Sequence, residues 1–202
     1  VNLISTATVS DDGMYRYDLT RGWGPGRWVL WIMLNPSTAD AMDDDPTVRR
    51  CRGFTRAWGY SGLVVVNLYA YRATNPHELI RADDPIGPAN KRAIEGWLRH
   101  DRVDLAVAAW GARWADLGIP RLNVEGMGRD LWCLGRTKGG HPRHPLYLHR
   151  DCRPTRYTVA SRRGWVLAPP EPPEAATEPH SGSHDQGALP LTPASGPGRR
   201  EA

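Results

Sequence analysis

The chain has 202 residues, 40% of them hydrophobic and nine of them Trp, which is enough to bury one sizeable core and points to a single domain. Its net charge of +4, carried mostly by Arg, suits a nucleic-acid or nucleotide partner, because guanidinium forks onto phosphate and stacks on bases; an Arg-for-Lys exchange at neutral surface sites would look the same. Three Cys without Cys-x-x-Cys spacing argue against a disulfide framework or zinc ribbon, and the longest apolar runs are far too short to span a bilayer, so a cytoplasmic protein without export or membrane anchoring is expected.

In chain order, Met14 to Leu19 alternates polar and apolar residues, and Arg21-Gly-Trp-Gly-Pro-Gly26 supplies turn residues. This reads as an N-terminal hairpin or antiparallel edge strand leading into the apolar run Trp28 to Leu34. That run stops at the polar turn Asn35-Pro-Ser37. Asp45-Pro46 then offers an N-cap followed by Pro at the first helical position, with Gly59 as the stop. Between them Val48, Cys51, Thr55 and Trp58 share a helical face, and Arg49, Arg52 and Arg56 project elsewhere.

Leu63 to Leu68 is too uniformly apolar for a one-sided strand and fits a sheet covered on both faces. A polar loop, residues 71–84, leads to a helix from about Pro88 to Arg99. Asp104 to Trp110 reads as a third buried strand, Gly111 to Leu117 as a short helix, and Leu131 to Leu134 as a fourth strand before a basic loop. Alternating strands and helices imply a three-layer α/β/α sandwich around a central, mostly parallel four-stranded sheet. This places one α/β domain over residues 1–166. From Leu167 onward Pro, Glu, Gly, Ser and Ala dominate, and residues 167–202 read as a disordered tail.

Ligands of open α/β sheets bind beyond the carboxyl ends of the strands, and four polar clusters fall there: Asn35 to Thr38, Asn67 with Tyr69 and Arg72, Trp110 to Arg113, and Gly135 to His144. Asn35 carries an amide that can hold a water or read a base edge, although it cannot take a proton at neutral pH. Asp40, Asp43, Asp44 and Asp45 form an acidic patch before a helix. Asp45 reads as its cap, and Asp40 or Asp43 as the carboxylate that acts on a water. The loop Arg136-Thr-Lys-Gly-Gly-His-Pro-Arg-His-Pro145 combines flexible glycines with cations and imidazoles, as suits close approach to phosphate or sugar. Within it His144 is the candidate donor to a departing base, and Arg136, Lys138 and Arg143 are candidate phosphate contacts. Ser37, Asn67, Tyr69, Arg72 and Trp110 complete the expected substrate contacts, the aromatic rings offering a face for a flat ligand. No metal or other cofactor is expected.

The stretches Met33-Leu-Asn-Pro-Ser-Thr-Ala39, Asp45-Pro-Thr-Val-Arg-Arg-Cys51, Gly62-Leu-Val-Val-Val-Asn-Leu-Tyr-Ala-Tyr-Arg-Ala73 and Lys138-Gly-Gly-His-Pro-Arg-His-Pro-Leu-Tyr147 resemble, in that order, the bacterial and phage family called domain of unknown function 1643. More distantly, the layout is similar to the uracil-DNA glycosylase superfamily, especially its mismatch-specific branch. Met33-Leu-Asn-Pro-Ser37 stands where that superfamily has Gly-x-Asn-Pro-Gly, and His144-Pro145 stands at its second motif. The departures are Ser37 for the final Gly and a longer, more basic second loop. The resemblance implies that Asn35 orients an attacking water and that the chain is a DNA glycosylase-like hydrolase of a modified or mismatched base. Two alternatives stay open: a non-catalytic nucleotide or nucleic-acid binding protein, and a metal-dependent phosphoesterase using the Asp cluster with His141 or His144.

Overall fold

The computed structural model describes residues 3–37, 39 and 42–158. The expected tail, residues 167–202, and the candidate Asp40 lie outside the described residues. Seven strands form one sheet: β1 (Ile4–Val9), β2 (Arg16–Gly22), β3 (Trp28–Met33), β4 (Gly62–Asn67), β5 (Val103–Ala108), β6 (Leu131–Cys133) and β7 (Thr155–Tyr157). Their order across the sheet is β1-β2-β4-β3-β5-β6-β7. The pairs β1–β2, β2–β4 and β6–β7 are antiparallel, whereas β3–β4, β3–β5 and β5–β6 are parallel.

This corrects the expected fold class, a central, mostly parallel four-stranded sheet in a three-layer α/β/α sandwich. The sheet is larger and mixed, and the helices among the described residues are few: α1 (Pro46–Ala57), α2 (Asn90–Leu98) and the single turn α3 (Trp114–Leu117). The sequence hid the additional strands for separate reasons. β1 is exposed along most of its length and β7 has only three residues, so neither carries a strong hydrophobic period. β2 was read as an edge strand leading to β3, yet every residue in it is buried and β4 lies between it and β3. Its polar side chains find partners inside: Arg21 pairs with Asp44 at 2.8 Å, and Asp18 accepts from the Trp97 indole at 3.2 Å. The N-terminal hairpin is β1–β2, turned at Ser10 to Tyr15.

The central strands are apolar on both faces because both are covered. Trp28, Leu30 and Ile32 of β3, with Val64 and Val66 of β4, face a core completed by Ile94 and Leu98 of α2. Val29, Trp31 and Met33, with Leu63 and Val65, face the core filled by Val48, Cys51 and Phe54 of α1 and by Trp58 just after it. Alternation of side chains across the pleat makes this division automatic. Asp45 caps α1 by accepting the Val48 N–H at 2.8 Å, and Pro46 opens the helix where no N–H is needed. Trp31 also donates to the Thr55 hydroxyl at 3.0 Å, so its buried N–H is satisfied. Gly62, opposite Trp28 in the register, has no room for a side chain: an added Cβ would stand 2.5 Å from the indole nitrogen. Among the described residues no helix is long and apolar enough to cross a membrane.

Candidate functional site

The parallel strands β4, β3, β5 and β6 all end on one rim, and there the chain encloses a pocket of about 330 Å³. Asn35 and Ser37 follow β3, Asn67 closes β4, Trp110 to Arg113 follow β5, and His144 arrives from the loop after β6. The remaining wall comes from Arg16 of β2 and from Asp45, Thr47 and Val48 at the start of α1. Asn35 and His144, 109 positions apart, therefore line the same cavity.

Each side chain is held by a local device. The Asn35 amide donates to the carbonyls of Ala73 at 2.7 Å and Pro36 at 3.1 Å, which holds the side chain in place beyond β3 and leaves Oδ1 as the acceptor side. Asn67 is 1% exposed, and neither its amide oxygen nor its nitrogen has a hydrogen-bond partner. Its backbone is fixed by Asn90 of α2, whose amide donates to the Asn67 and Leu68 carbonyls at 3.0 and 3.3 Å.

His144 sits at the end of a small hairpin in which Thr137 donates to the His141 carbonyl and Arg143 to the Gly135 carbonyl. Its Nδ1 accepts the Leu146 N–H at 3.3 Å, so the neutral ring carries its proton on Nε2. Burial lowers the His144 pKa; nearby Arg113 adds to the drop and Asp45 opposes it. The imidazole is thus a neutral donor at pH 7. Gly111, at a φ of +75°, brings the β5 loop against it: an added Cβ would lie 3.5 Å from that of His144.

Arg16 is pushed down to about 10 by burial, which leaves it charged at neutral pH. Asp45 both caps α1 and faces the pocket. At the mouth stands Tyr147, 83% exposed.

Of the residues expected from sequence, Asn35, Ser37, Asn67, Trp110 and His144 come together here. The others do not. Tyr69 is 0% exposed and gives its hydroxyl to the Ile119 carbonyl at 3.2 Å, so it is a core residue rather than an aromatic wall. Arg72 donates to the Gly13 carbonyl at 3.2 Å and ties down the β1–β2 turn. Arg136 lies over the Tyr157 ring and bonds Thr158 at 2.9 Å, while Lys138 and Arg143 are exposed on the hairpin. Asp43 is exposed and lies outside the pocket wall. Asp44, from the same patch, is bound to Arg21 and Arg52. Among the described residues, no three His, Cys, Asp or Glu side chains converge as a metal site.

Sequence reasoning missed Arg16, because a polar position in an alternating strand looks like a solvent-facing one. It read Asp45 only as a cap, and nothing in the pattern revealed that the cap also faces a cavity.

The family described as "Protein of unknown function (DUF1643)" matches residues 16–146. The chain belongs to this family. The matched span begins at Arg16 and takes in Asn35, Asn67 and His144, so the family's stretch and the pocket nearly coincide. Among curated proteins and solved structures nothing matches the chain. None of these findings shows the likeness to the uracil-DNA glycosylase superfamily.

Proposed function

We propose that this member of the family is a cytoplasmic hydrolase of an N-glycosidic bond, acting in the manner of a DNA glycosylase on a modified or mismatched base. The observation that carries the reading is Asn67, a buried amide in the pocket wall with both polar ends unpartnered. Leaving such a group unpaired costs on the order of 1–3 kcal/mol. A ligand that presents an adjacent donor and acceptor, as the edge of a nucleobase does, offsets that cost. The pocket volume fits a flat heterocycle with part of its sugar.

In this reaction water adds at C1′ as the bond from C1′ to the base nitrogen breaks, and the bonding pair leaves with the base. Asn35 orients the water through Oδ1, its N–H groups being occupied by Ala73 and Pro36. Asp45 supplies negative charge beside the oxocarbenium-like sugar and takes the proton that the water loses as it adds, which passes on to the released base; sequence assigned this action on the water to Asp40 or Asp43. His144 donates from Nε2 to the departing base as a neutral imidazole. For a base in duplex DNA, flipping is required, and the exposed Arg136, Lys138 and Arg143 are the phosphate contacts we propose.

The test is formation of abasic sites across a panel of duplexes carrying modified or mismatched bases. Wild type releases a base, and Asn35→Ala and His144→Ala release it far more slowly; product formed as fast by both variants as by wild type refutes their roles. One observation favours a second reading, a binding protein without turnover: Asp45, the carboxylate of the pocket wall, already holds the Val48 N–H. Salt-sensitive DNA binding with no base release supports that reading instead.

A further inference from the structure

The proposed reaction leaves one wall of the pocket unused. Arg16, the first residue of β2, is 3% exposed and lines the same cavity as Asn67. Its Nη1 donates to the Ala39 carbonyl, while its Nε is buried without a partner. Among the described residues no carboxylate forms an ion pair with it, in contrast to Arg21 on the same strand, which holds Asp44.

The surrounding charges do not neutralise it. Asp45 and Asp18 act on it from a distance and are opposed by Arg72 and Arg21. Asp45 is further engaged by the Val48 N–H, and the twelve-residue α1 turns its amino end, through Thr47 and Val48, towards the pocket. That end of a helix carries partial positive charge. Arg113 adds a cation at the wall near His144. A buried guanidinium without a counter-ion is unfavourable, and the wall that also holds the orphaned Asn67 amide is where a missing anion would sit.

We propose that the pocket receives its heterocycle as an anion, with the negative charge set against the Arg16 guanidinium. The inference rests on the reading of this pocket as a nucleobase site and adds the charge class of the ligand. It selects rings that carry a delocalised negative charge on their oxygens at neutral pH.

Barbiturate and uracil test this directly, because their rings are nearly equal in size while only barbiturate is ionised at neutral pH. Calorimetric titration of wild type should show barbiturate binding about ten- to hundredfold more tightly than uracil. Arg16→Gln should bring the ratio close to one, and Arg16→Lys, which keeps the charge but loses the fork, should retain part of it. Equal affinities in wild type, binding of neither ring, or a ratio unchanged in Arg16→Gln overturns the inference. Should Arg16→Gln fail to fold, judged by its thermal melt, the wild-type ratio and Arg16→Lys carry the test, and a ratio undiminished in Arg16→Lys counts against a bidentate counter-ion at this residue. A barbiturate preference without base release from any duplex leaves the inference standing and removes the hydrolase reading. Base release without the preference does the reverse.

Discussion

Two hollows lie at opposite ends of the parallel strands, and they differ in how their polar groups are satisfied. The hollow at the amino ends, beside Asp104 of β5 and Asp130 just before β6, is the larger, at about 720 Å³ against about 330 Å³. Its charges are matched. Asp104 accepts the Tyr60 hydroxyl at 2.9 Å, Glu125 pairs with Arg121 at 2.6 Å, Arg129 donates to the Val103 carbonyl at 2.7 Å, and Asp130 pairs with Arg156. The pocket at the carboxyl ends is smaller and is lined by residues that hold four of the seven buried side-chain polar atoms without a partner among the described residues, both ends of the Asn67 amide, the Arg16 Nε and the Trp110 indole N–H; the other three belong to Trp28, Arg50 and Asn90, which do not line it. Size therefore does not mark the site. A cluster of unpaired buried polar groups does, because a fold that gains nothing from several of them on one wall would replace them by apolar ones.

The sharpest way to break this contrast is Asn67→Leu. Its loss should weaken nucleobase binding about a hundredfold or more and leave thermal stability unchanged or higher, since the orphaned amide costs the fold on the order of 1–3 kcal/mol. A calorimetric titration beside a melting curve checks both signs, and a large drop in stability would mean that Asn67 holds the fold rather than a ligand. Asn35→Ala comes next among effects on turnover: base release should fall about 10²–10³-fold, with nucleobase affinity changed much less, as single-turnover kinetics and titration would show.

His144 gives an intermediate effect that depends on pH. Its folded-state pKa lies below the ordinary 6.5 because it is buried. As pH falls, the unfolded chain takes up the proton first, so the stability present above the ordinary value drains away as pH falls through the folded-state pKa. Melting temperatures followed from about pH 7 to about pH 5 should decline less steeply in His144→Gln than in wild type. The smallest effect belongs to the amino-end hollow. Tyr60→Phe removes the bond to the exposed Asp104, and chemical denaturation should show a loss of about 1 kcal/mol or less, with base release unaltered. A strong effect on release would put function at the wrong end of the sheet.

Much of the chain's middle was legible. Trp28 to Leu34, Leu63 to Leu68 and Leu131 to Leu134 announce strands because residues on both faces are apolar, and Asp45-Pro46 and Gly59 bracket α1 by rules that concern single residues. β2 was not legible as an inner strand, since Arg16, Asp18, Thr20 and Arg21 are all buried, and Asp18 and Arg21 find their partners, Trp97 and Asp44, in distant segments. With β1 and β7 lacking a hydrophobic period as well, the sheet read as four mostly parallel strands beside an N-terminal hairpin or edge strand, when antiparallel β1, β2 and β7 extend it to seven.

By itself the sequence determined which segments are apolar enough to become central strands and which polar residues stand at their ends, because both follow from neighbours within a few positions. Only the tertiary structure decided that Asn35 and His144 share a wall with Asn67, that Tyr69 and Arg72 turn away from it, and that Arg16 belongs to it. Convergence and the presence or absence of a partner are properties of atoms brought together across the chain, and local pattern carries no information about them.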